Sequence, residues 1–279
     1  MLQERFMEVI ESHGARIPVI GFGTMTLKED LCVELVEAAL HLGYRHLDTA
    51  QMYGNEREVG SGLRGSGLRR EDVFITTKVW FTQLAPGNFE RSVAESLDRL
   101  QLPWVDLLMI HWPNVQIPLA GSIASLCKVK KAGLARHIGV ANFNIAMIEE
   151  AWRLASEPIA VLQIETHPYL DQSKVIAVAR ARGMAVVGYC PLARGKVPAD
   201  ETLKRIGRAH GKTPSQAALR YLEQDRIIPI PRTSKRERLV ENLGSLDFTL
   251  TDAEMVEIGR LKRPDSRIVS PPQAPAWDN

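Results

Sequence analysis

Four residues in the first half of the chain carry side chains whose chemistries fit together: Asp48, Tyr53, Lys78 and His111. A free phenol has a pKa near ~10 and is a poor acid at neutral pH. An ammonium beside it stabilises the phenolate and lowers that value, and a carboxylate keeps the ammonium charged and in place. A histidine at the same point can orient a substrate oxygen by donating a hydrogen bond. Taken singly, each has a plainer reading: the aspartate caps a turn, the tyrosine packs half-buried, and the lysine extends to water. His41, His46 and His167 are read in that plain way, as core or surface histidines. What sets the quartet apart is where the surrounding elements put it.

Short β-rich runs alternate with helical patterns along the whole chain. Strands are predicted over 19–24, 45–49, 73–78, 105–111, 138–142, 161–165, 185–189 and 227–231. Between them lie stretches with helical spacing, such as Leu31, Leu35, Ala39 and Leu42, or Phe89, Val93, Leu97 and Leu100. Such alternation implies a parallel sheet. Eight units fill the 279 residues as a single α/β domain over 1–279, a (β/α)8 TIM barrel. Residues 8–20 read as an N-terminal hairpin plugging the barrel floor, and 214–223 and 250–261 as extra C-terminal helices. Thr251 and Glu254 have capping-box spacing. Active sites of this architecture collect at the C-terminal ends of the strands. Asp48 ends the second strand, with Tyr53 on the loop beyond it; Lys78 ends the third and His111 the fourth. Four compatible residues on three consecutive strand ends are hard to attribute to packing. Gly21-Phe22-Gly23 lacks the third glycine of a dinucleotide fingerprint, since Thr26 holds that position. These glycines are read as letting backbone pass close to a ligand.

Composition bounds the partners. Hydrophobic residues make up 45% and charged residues 24%, with a net charge of +2, so neither nucleic acid nor an anionic membrane is expected. No apolar run is long enough to span a bilayer. Residues 1–5 carry early charges of both signs, which predicts no signal peptide. Cys32, Cys127 and Cys190 are widely spaced, which argues against disulfides and zinc and fits a reducing cytoplasm. No metal is expected, because Lys78 would repel a cation beside Asp48 and His111.

Several motifs together resemble the aldo-keto reductase family. They are Gly43-Tyr44-Arg45-His46-Leu47-Asp48-Thr49-Ala50 with Tyr53-Gly54-Asn55-Glu56, Ile75-Thr76-Thr77-Lys78-Val79-Trp80, Asp106-Leu107-Leu108-Met109-Ile110-His111-Trp112-Pro113 and Gly139-Val140-Ala141-Asn142-Phe143. The resemblance runs from the first strand to the C-terminus. The ending Arg267-Ile268-Val269-Ser270-Pro271 with Ala276-Trp277-Asp278 is similar to the bacterial 2,5-diketo-D-gluconate reductase B type within that family.

The resemblance implies reduction of a carbonyl by hydride transfer from NADPH, with NADH a weaker alternative. Tyr53 is then the proton donor, Lys78 the group that tunes it, Asp48 the partner of Lys78, and His111 the substrate orienter. Asn142 and Gln163 would hold the nicotinamide carboxamide, and Tyr189 would stack on the ring. Arg232, Thr233, Arg238, Glu241 and Asn242 would take the adenosine 2′-phosphate and adenine. Gly23, Thr24, Asp48, Cys190, Leu192 and Arg194 complete the cofactor-binding set. Met25, Trp80, His111 and Trp112 would line the substrate pocket. The chain departs from the family pattern at Ala141, Leu162, Cys190 and the run Arg232-Thr233-Ser234. All of these lie on the cofactor side, and none touches the quartet. A cytoplasmic monomer acting on a small-molecule carbonyl is the expected form. The alternative is a cofactor-binding regulatory subunit with little turnover, which the intact quartet disfavours. Short loops over 112–119 and 191–198 predict a shallow, open mouth. Small activated carbonyls such as methylglyoxal, keto-sugars and β-keto esters should then be preferred over steroids.

Overall fold

The structure, a computed structural model, describes residues 8–263 and 265–278. Residues 1–5, read above for a targeting signal, and Pro264 at the start of the tail lie outside that range. Strands β1 (Val9–Ser12) and β2 (Ala15–Pro18) pair antiparallel across His13 and Gly14. Both turn residues have positive φ, 47° and 84°, as a tight two-residue hairpin requires. Ser12 Oγ lies 2.7 Å from Ala160 O and 2.8 Å from Gly183 O, at the starts of two barrel strands. The hairpin therefore sits on the barrel floor, as its sequence predicts.

Eight parallel strands follow, hydrogen-bonded in chain order: β3 (Phe22–Gly23), β4 (His46–Asp48), β5 (Phe74–Val79), β6 (Val105–Ile110), β7 (Ala135–Ala141), β8 (Ile159–Glu165), β9 (Ala185–Tyr189) and β10 (Ile227–Pro229). The sheet closes where Gly21 N donates to Pro229 O (3.0 Å) and Gly23 N to Pro231 O (3.2 Å). This is the predicted (β/α)8 barrel. β3 is shorter than expected because Val19 still belongs to the floor, its N–H bonded to Glu8 O at 3.0 Å. A Cβ on Gly23 would stand 2.8 Å from Ile230 O, and one on Gly21 2.7 Å from the His46 ring. Both glycines thus allow a close approach to the barrel's own seam and core.

The helices are α1 (Glu29–Leu42), α2 (Glu56–Gly65), α3 (Asn88–Leu100), α4 (Leu119–Lys131), α5 (Ile145–Leu154), α6 (Ser173–Ala181), α7 (Glu201–Ala209), α8 (Pro214–Gln224), α9 (Arg236–Leu243) and α10 (Asp252–Gly259). α8 starts where Thr213 and Gln216 cap one another ahead of Pro214, and α10 where Thr251 and Glu254 do the same. α8 was expected as an addition to the barrel, yet it packs on β10 as a barrel helix. The added element in that connection is α7, which buries Leu203, Ile206 and Gly207. Leu31, expected on the buried face of α1, is 44% exposed; the buried stripe runs through Cys32, Leu35, Val36 and Ala39.

Two apolar layers hold the barrel. Outside, strands and helices share one large buried cluster. Inside, Phe74, Leu107, Met109, Val161, Val187, Ile228 and Ile230 fill the lumen and rest on Ile10, Ala15 and Ile17 of the hairpin. Alternate residues of a strand face the same side. Continuing the inner face of each strand upward from this lumen gives Lys78 above Phe74, His111 above Leu107 and Met109, Gln163 and Glu165 above Val161, and Tyr189 above Val187. The packed core thereby aims a ring of polar side chains at one end.

Candidate active site

Asp48 and Lys78 meet beneath that ring. The Lys78 ammonium donates to Asp48 Oδ1 at 2.5 Å and to Thr49 O at 2.9 Å, and the lysine side chain is 0% exposed. Burial pulls the Lys78 pKa down, while Asp48 and then Glu56 pull it back up. Glu56 is itself buried, accepting from Thr77 Oγ1 at 2.6 Å and from Arg99 Nε at 2.8 Å. The other Asp48 oxygen accepts from Gln163 Nε2 at 2.8 Å. A buried charge without such partners would be strongly disfavoured.

Tyr53 ends a 3-10 turn, Gln51–Tyr53, with its hydroxyl 3.5 Å from Lys78 Nζ. Burial first, and Asp48 next, push its pKa well above the usual 10. The lowering expected from the ammonium is therefore not the net effect in the resting protein, because desolvation of the phenol outweighs it. The phenol keeps its proton. His111 is buried, and desolvation followed by the Lys78 charge pushes its pKa well below 6.5, so the ring is neutral. Its Nδ1 has no hydrogen-bond partner among the described residues. The ring stands edge-on to Tyr53 (centroids 5.6 Å, 82°) and to Trp80 (5.2 Å, 71°). All four residues picked from sequence are thus brought together.

Loop contacts hold the tyrosine turn in place. Asn55 donates to Thr24 O (2.8 Å) and Leu27 O (3.0 Å) and accepts from Thr49 Oγ1 (2.8 Å). The Lys28 ammonium donates to Tyr53 O, and Gln51 Oε1 accepts from Trp80 N at 2.9 Å. Asn55 and Glu56 belong to the Tyr53-Gly54-Asn55-Glu56 motif, whose sequence alone assigns them no role. His46 is the core histidine it was taken for, with Nε2 3.1 Å from Thr76 Oγ1 and a pKa lowered by burial to about 4.

Asn142 and Gln163 lie side by side where β7 pairs with β8, Asn142 N donating to Gln163 O at 2.9 Å. Asn142 Nδ2 donates to His111 O (2.9 Å), and its Oδ1 accepts from Tyr189 OH (2.7 Å). That last bond fixes the Tyr189 ring at the rim. Among the described residues, no further hydrogen bond takes the second N–H of the Asn142 amide or the Gln163 amide oxygen. A donor beside an acceptor complements a primary carboxamide, so these residues fit the nicotinamide group.

Past β9, Cys190, Ala193 and Arg194 all have positive φ (54°, 49°, 49°), an arched loop that also carries Leu192. Arg232 donates from Nε to Met25 O at 3.1 Å, and Arg238 is exposed on α9. Thr233 Oγ1 accepts from Lys235 N at 3.0 Å, closing the turn into α9. Glu241 accepts from Thr213 Oγ1 at 2.7 Å, and Asn242 is buried. Ala141 and Leu162 are fully buried in the barrel wall.

The substrate side is lopsided. Met25 and Met52 are each 43% exposed at one edge of the mouth. Across from them Trp112, expected as a bare wall, is only 4% exposed, with the Trp277 ring packed 6.1 Å from it. The tail returns over this edge, so the openness predicted from loop lengths holds on one side only. Sequence reasoning did not foresee the residue that receives the tail, Glu165. Its signal was a charge two positions beyond Gln163 in an otherwise apolar strand.

Three comparisons with known proteins bear on this arrangement. The profile of the Aldo/keto reductase family matches residues 19–263. The chain is 40% identical over 266 residues to methylglyoxal reductase DkgB of Escherichia coli O157:H7, covering 94% of this chain and 99% of that one. It is 37% identical to an aldo-keto reductase of Mycobacterium sp. (strain MCS), covering 93% and 94%. A solved structure provisionally named 2,5-diketo-D-gluconic acid reductase B superposes with a TM-score of 0.96 at 47% identity over 100% of both chains. The aldose reductase of Schistosoma japonicum superposes with a TM-score of 0.89 at 33% identity, covering 93% and 94%.

Proposed function

The chain belongs to the aldo/keto reductase family, NAD(P)H-dependent oxidoreductases, and from that premise we propose that it reduces small aldehydes, dicarbonyls and keto-sugars with NADPH, Tyr53 giving the proton. The carrying observation is the buried Lys78–Asp48 pair at 2.5 Å, with the Tyr53 hydroxyl 3.5 Å from the ammonium and the His111 ring edge-on to Tyr53.

When bound, the nicotinamide supplies hydride to the carbonyl carbon. Tyr53 delivers its proton to the carbonyl oxygen. The phenolate left behind faces the Lys78 ammonium, which Asp48 holds in place. His111, being neutral, has a single ring N–H with which to direct the oxygen toward Tyr53. Asn142 and Gln163 complement the carboxamide, and Tyr189 gives the ring a platform whose tip is tied to Asn142. Gly23, Thr24, Cys190, Leu192 and Arg194 lie around the same rim and would take the body of the cofactor. The exposed guanidinium of Arg238, with Arg232, suits a 2′-phosphate; Thr233, Glu241 and Asn242 shape the arm that carries them.

Methylglyoxal and keto-sugars suit the half-covered mouth, and the two relatives named for such substrates support that choice. Free thiols at Cys32, Cys127 and Cys190 support a cytoplasmic setting. Among the described residues no helix is long and apolar enough to cross a membrane. NADPH oxidation should be followed with methylglyoxal, 2,5-diketo-D-gluconate and a steroid ketone. A higher kcat/KM for the steroid would refute the substrate class, and no turnover with any of them would refute the enzyme reading.

A further inference from the structure

At the top of β8, on the same strand face as Gln163, stands a carboxylate that the mechanism does not use. Glu165 is 0% exposed, and its oxygens are taken by backbone of the C-terminal tail. Ile268 N donates to Oε1 and Val269 N to Oε2, both at 2.7 Å. His167 Nε2 is 3.0 Å from Oε1, while its Nδ1 accepts from Tyr169 N at 3.3 Å. With Nδ1 an acceptor, the ring proton sits on Nε2 and points at Glu165. The carboxylate thus takes three donors, two of them from a segment about a hundred residues away.

Beyond this anchor the tail has no helix or strand of its own to hold it. Its far end is fastened at the start of α5. Ile145 N donates to Asp278 Oδ2 at 2.7 Å, and Asn144 Nδ2 donates to Ala276 O at 3.0 Å. Negative charge at a helix N-terminus is favourable. The Arg267 guanidinium, just before the first anchor, lies 3.6 Å over the Trp277 ring, and Trp277 Nε1 donates to Ser270 Oγ at 3.1 Å. Trp277 in turn packs on Trp112, the neighbour of His111.

We propose that Glu165 is a positioning residue for substrate selection. By clamping Ile268 and Val269 it stretches the tail as a strap across the β6–β8 side of the mouth. The strap sets Trp277 against Trp112 as the pocket's outer wall. Backbone N–H groups left unpaired on a buried strap would be costly, so the two short bonds to one rigid strand end define where the strap lies. Residues 265–278 and Trp277 therefore decide how large a carbonyl compound approaches His111, while the opposite edge at Met25 and Met52 stays open. This role rests on the reductase reading for its substrate, though not for the clamp itself.

The test uses the full chain and the substitution Glu165→Gln, which keeps the shape but offers one acceptor oxygen where two N–H groups need partners. Hydrogen exchange of amides in 266–278 should quicken by at least ~10-fold, with barrel strands unchanged. KM for methylglyoxal should rise about fivefold or more while kcat stays within about twofold, and NADPH binding should hold. Trp277→Ala should reproduce the KM change, and combining the two should add little. His167→Asn, which leaves the carboxylate in place, should give the same pattern at smaller amplitude and guards against a folding failure of Glu165→Gln. Unchanged strap exchange in both clamp variants, or an additive KM effect with Trp277→Ala, would overturn the proposal. Absence of methylglyoxal turnover in the unaltered protein would instead count against the reductase reading, and the exchange measurement would still decide the clamp.

Discussion

Lys78 Nζ lies 2.5 Å from Asp48 Oδ1 and 3.5 Å from the Tyr53 hydroxyl, so in the resting protein its charge is committed to the carboxylate before the phenol. The ammonium becomes most valuable to Tyr53 only once the proton has gone. That order makes Tyr53 a loaded acid at neutral pH and Lys78 the stabiliser of its conjugate base.

Lys78→Met should leave Asp48 buried with no cationic partner and cost about 3–5 kcal/mol of stability. Adding Asp48→Asn should restore most of that loss, while turnover remains at background. Urea unfolding and NADPH oxidation on the same three proteins separate the two effects. A single Lys78→Met variant as stable as the parent would mean the pair does not hold this layer together.

Tyr53→Phe keeps the ring and removes the donor. We expect kcat to fall at least ~100-fold with little change in cofactor affinity, read by fluorescence titration. Near-normal turnover would remove Tyr53 from the mechanism.

The pH dependence of reduction should be flat through neutrality. His111 is pushed well below its ordinary 6.5 and so is uncharged there, while Tyr53 is pushed well above 10 and so retains its proton. Neither group changes charge between those limits. A kcat profile with an inflection at the ordinary histidine value would contradict the burial of His111.

Arg238→Ala should weaken NADPH by about tenfold or more, the scale of a lost charge-assisted contact. NADH affinity should hold. Equal losses for both cofactors would assign Arg238 to the stability of α9.

Away from the mouth, the Glu223 side chain on α8 is buried, with Oε1 accepting from Ser245 Oγ at 2.7 Å and Oε2 3.8 Å from the Arg220 guanidinium. Burial raises its carboxyl from 4.5 to about 7. The folded state therefore binds this proton more tightly than the unfolded chain does. Stability from the protonated form is fully present below pH 4.5 and is lost as pH rises through about 7. At about 1.4 kcal/mol per pH unit between those values, the loss comes to roughly 3.5 kcal/mol. Glu223→Gln should abolish this slope and be the more stable protein above neutrality; parallel unfolding curves at pH 6 and pH 8 for both proteins would refute the assignment.

The tetrad was legible because its members end consecutive strands within compact motifs, where alternation already fixes which side chains face inward. The same alternation made the barrel readable. The clamp was not legible, since Glu165 meets Ile268 and Val269 across 103 and 104 positions through backbone groups that carry no residue signature. Trp277 was quoted as part of an ending, yet nothing in a proline-rich irregular tail says where it lies. The direction of the Tyr53 pKa depended on how far its hydroxyl is desolvated within the site, which pairing rules do not reveal. Leu31 was misplaced because an apolar residue can sit at the edge of a helical stripe.

The seam between β3 and β10 has a kinetic consequence. Its two backbone bonds, and the Arg232–Met25 contact spanning 207 positions beside them, join the most distant parts of the barrel chain. Such contacts are rewarded only after the entropy of closing a very long loop has been met. The intervening βα units should therefore assemble as an open, curved sheet before the circle shuts. During that interval β3 and β10 present unpaired edges, which are the surfaces through which incomplete chains associate. Crowding of newly made chains should thus act on this protein chiefly through its unclosed seam.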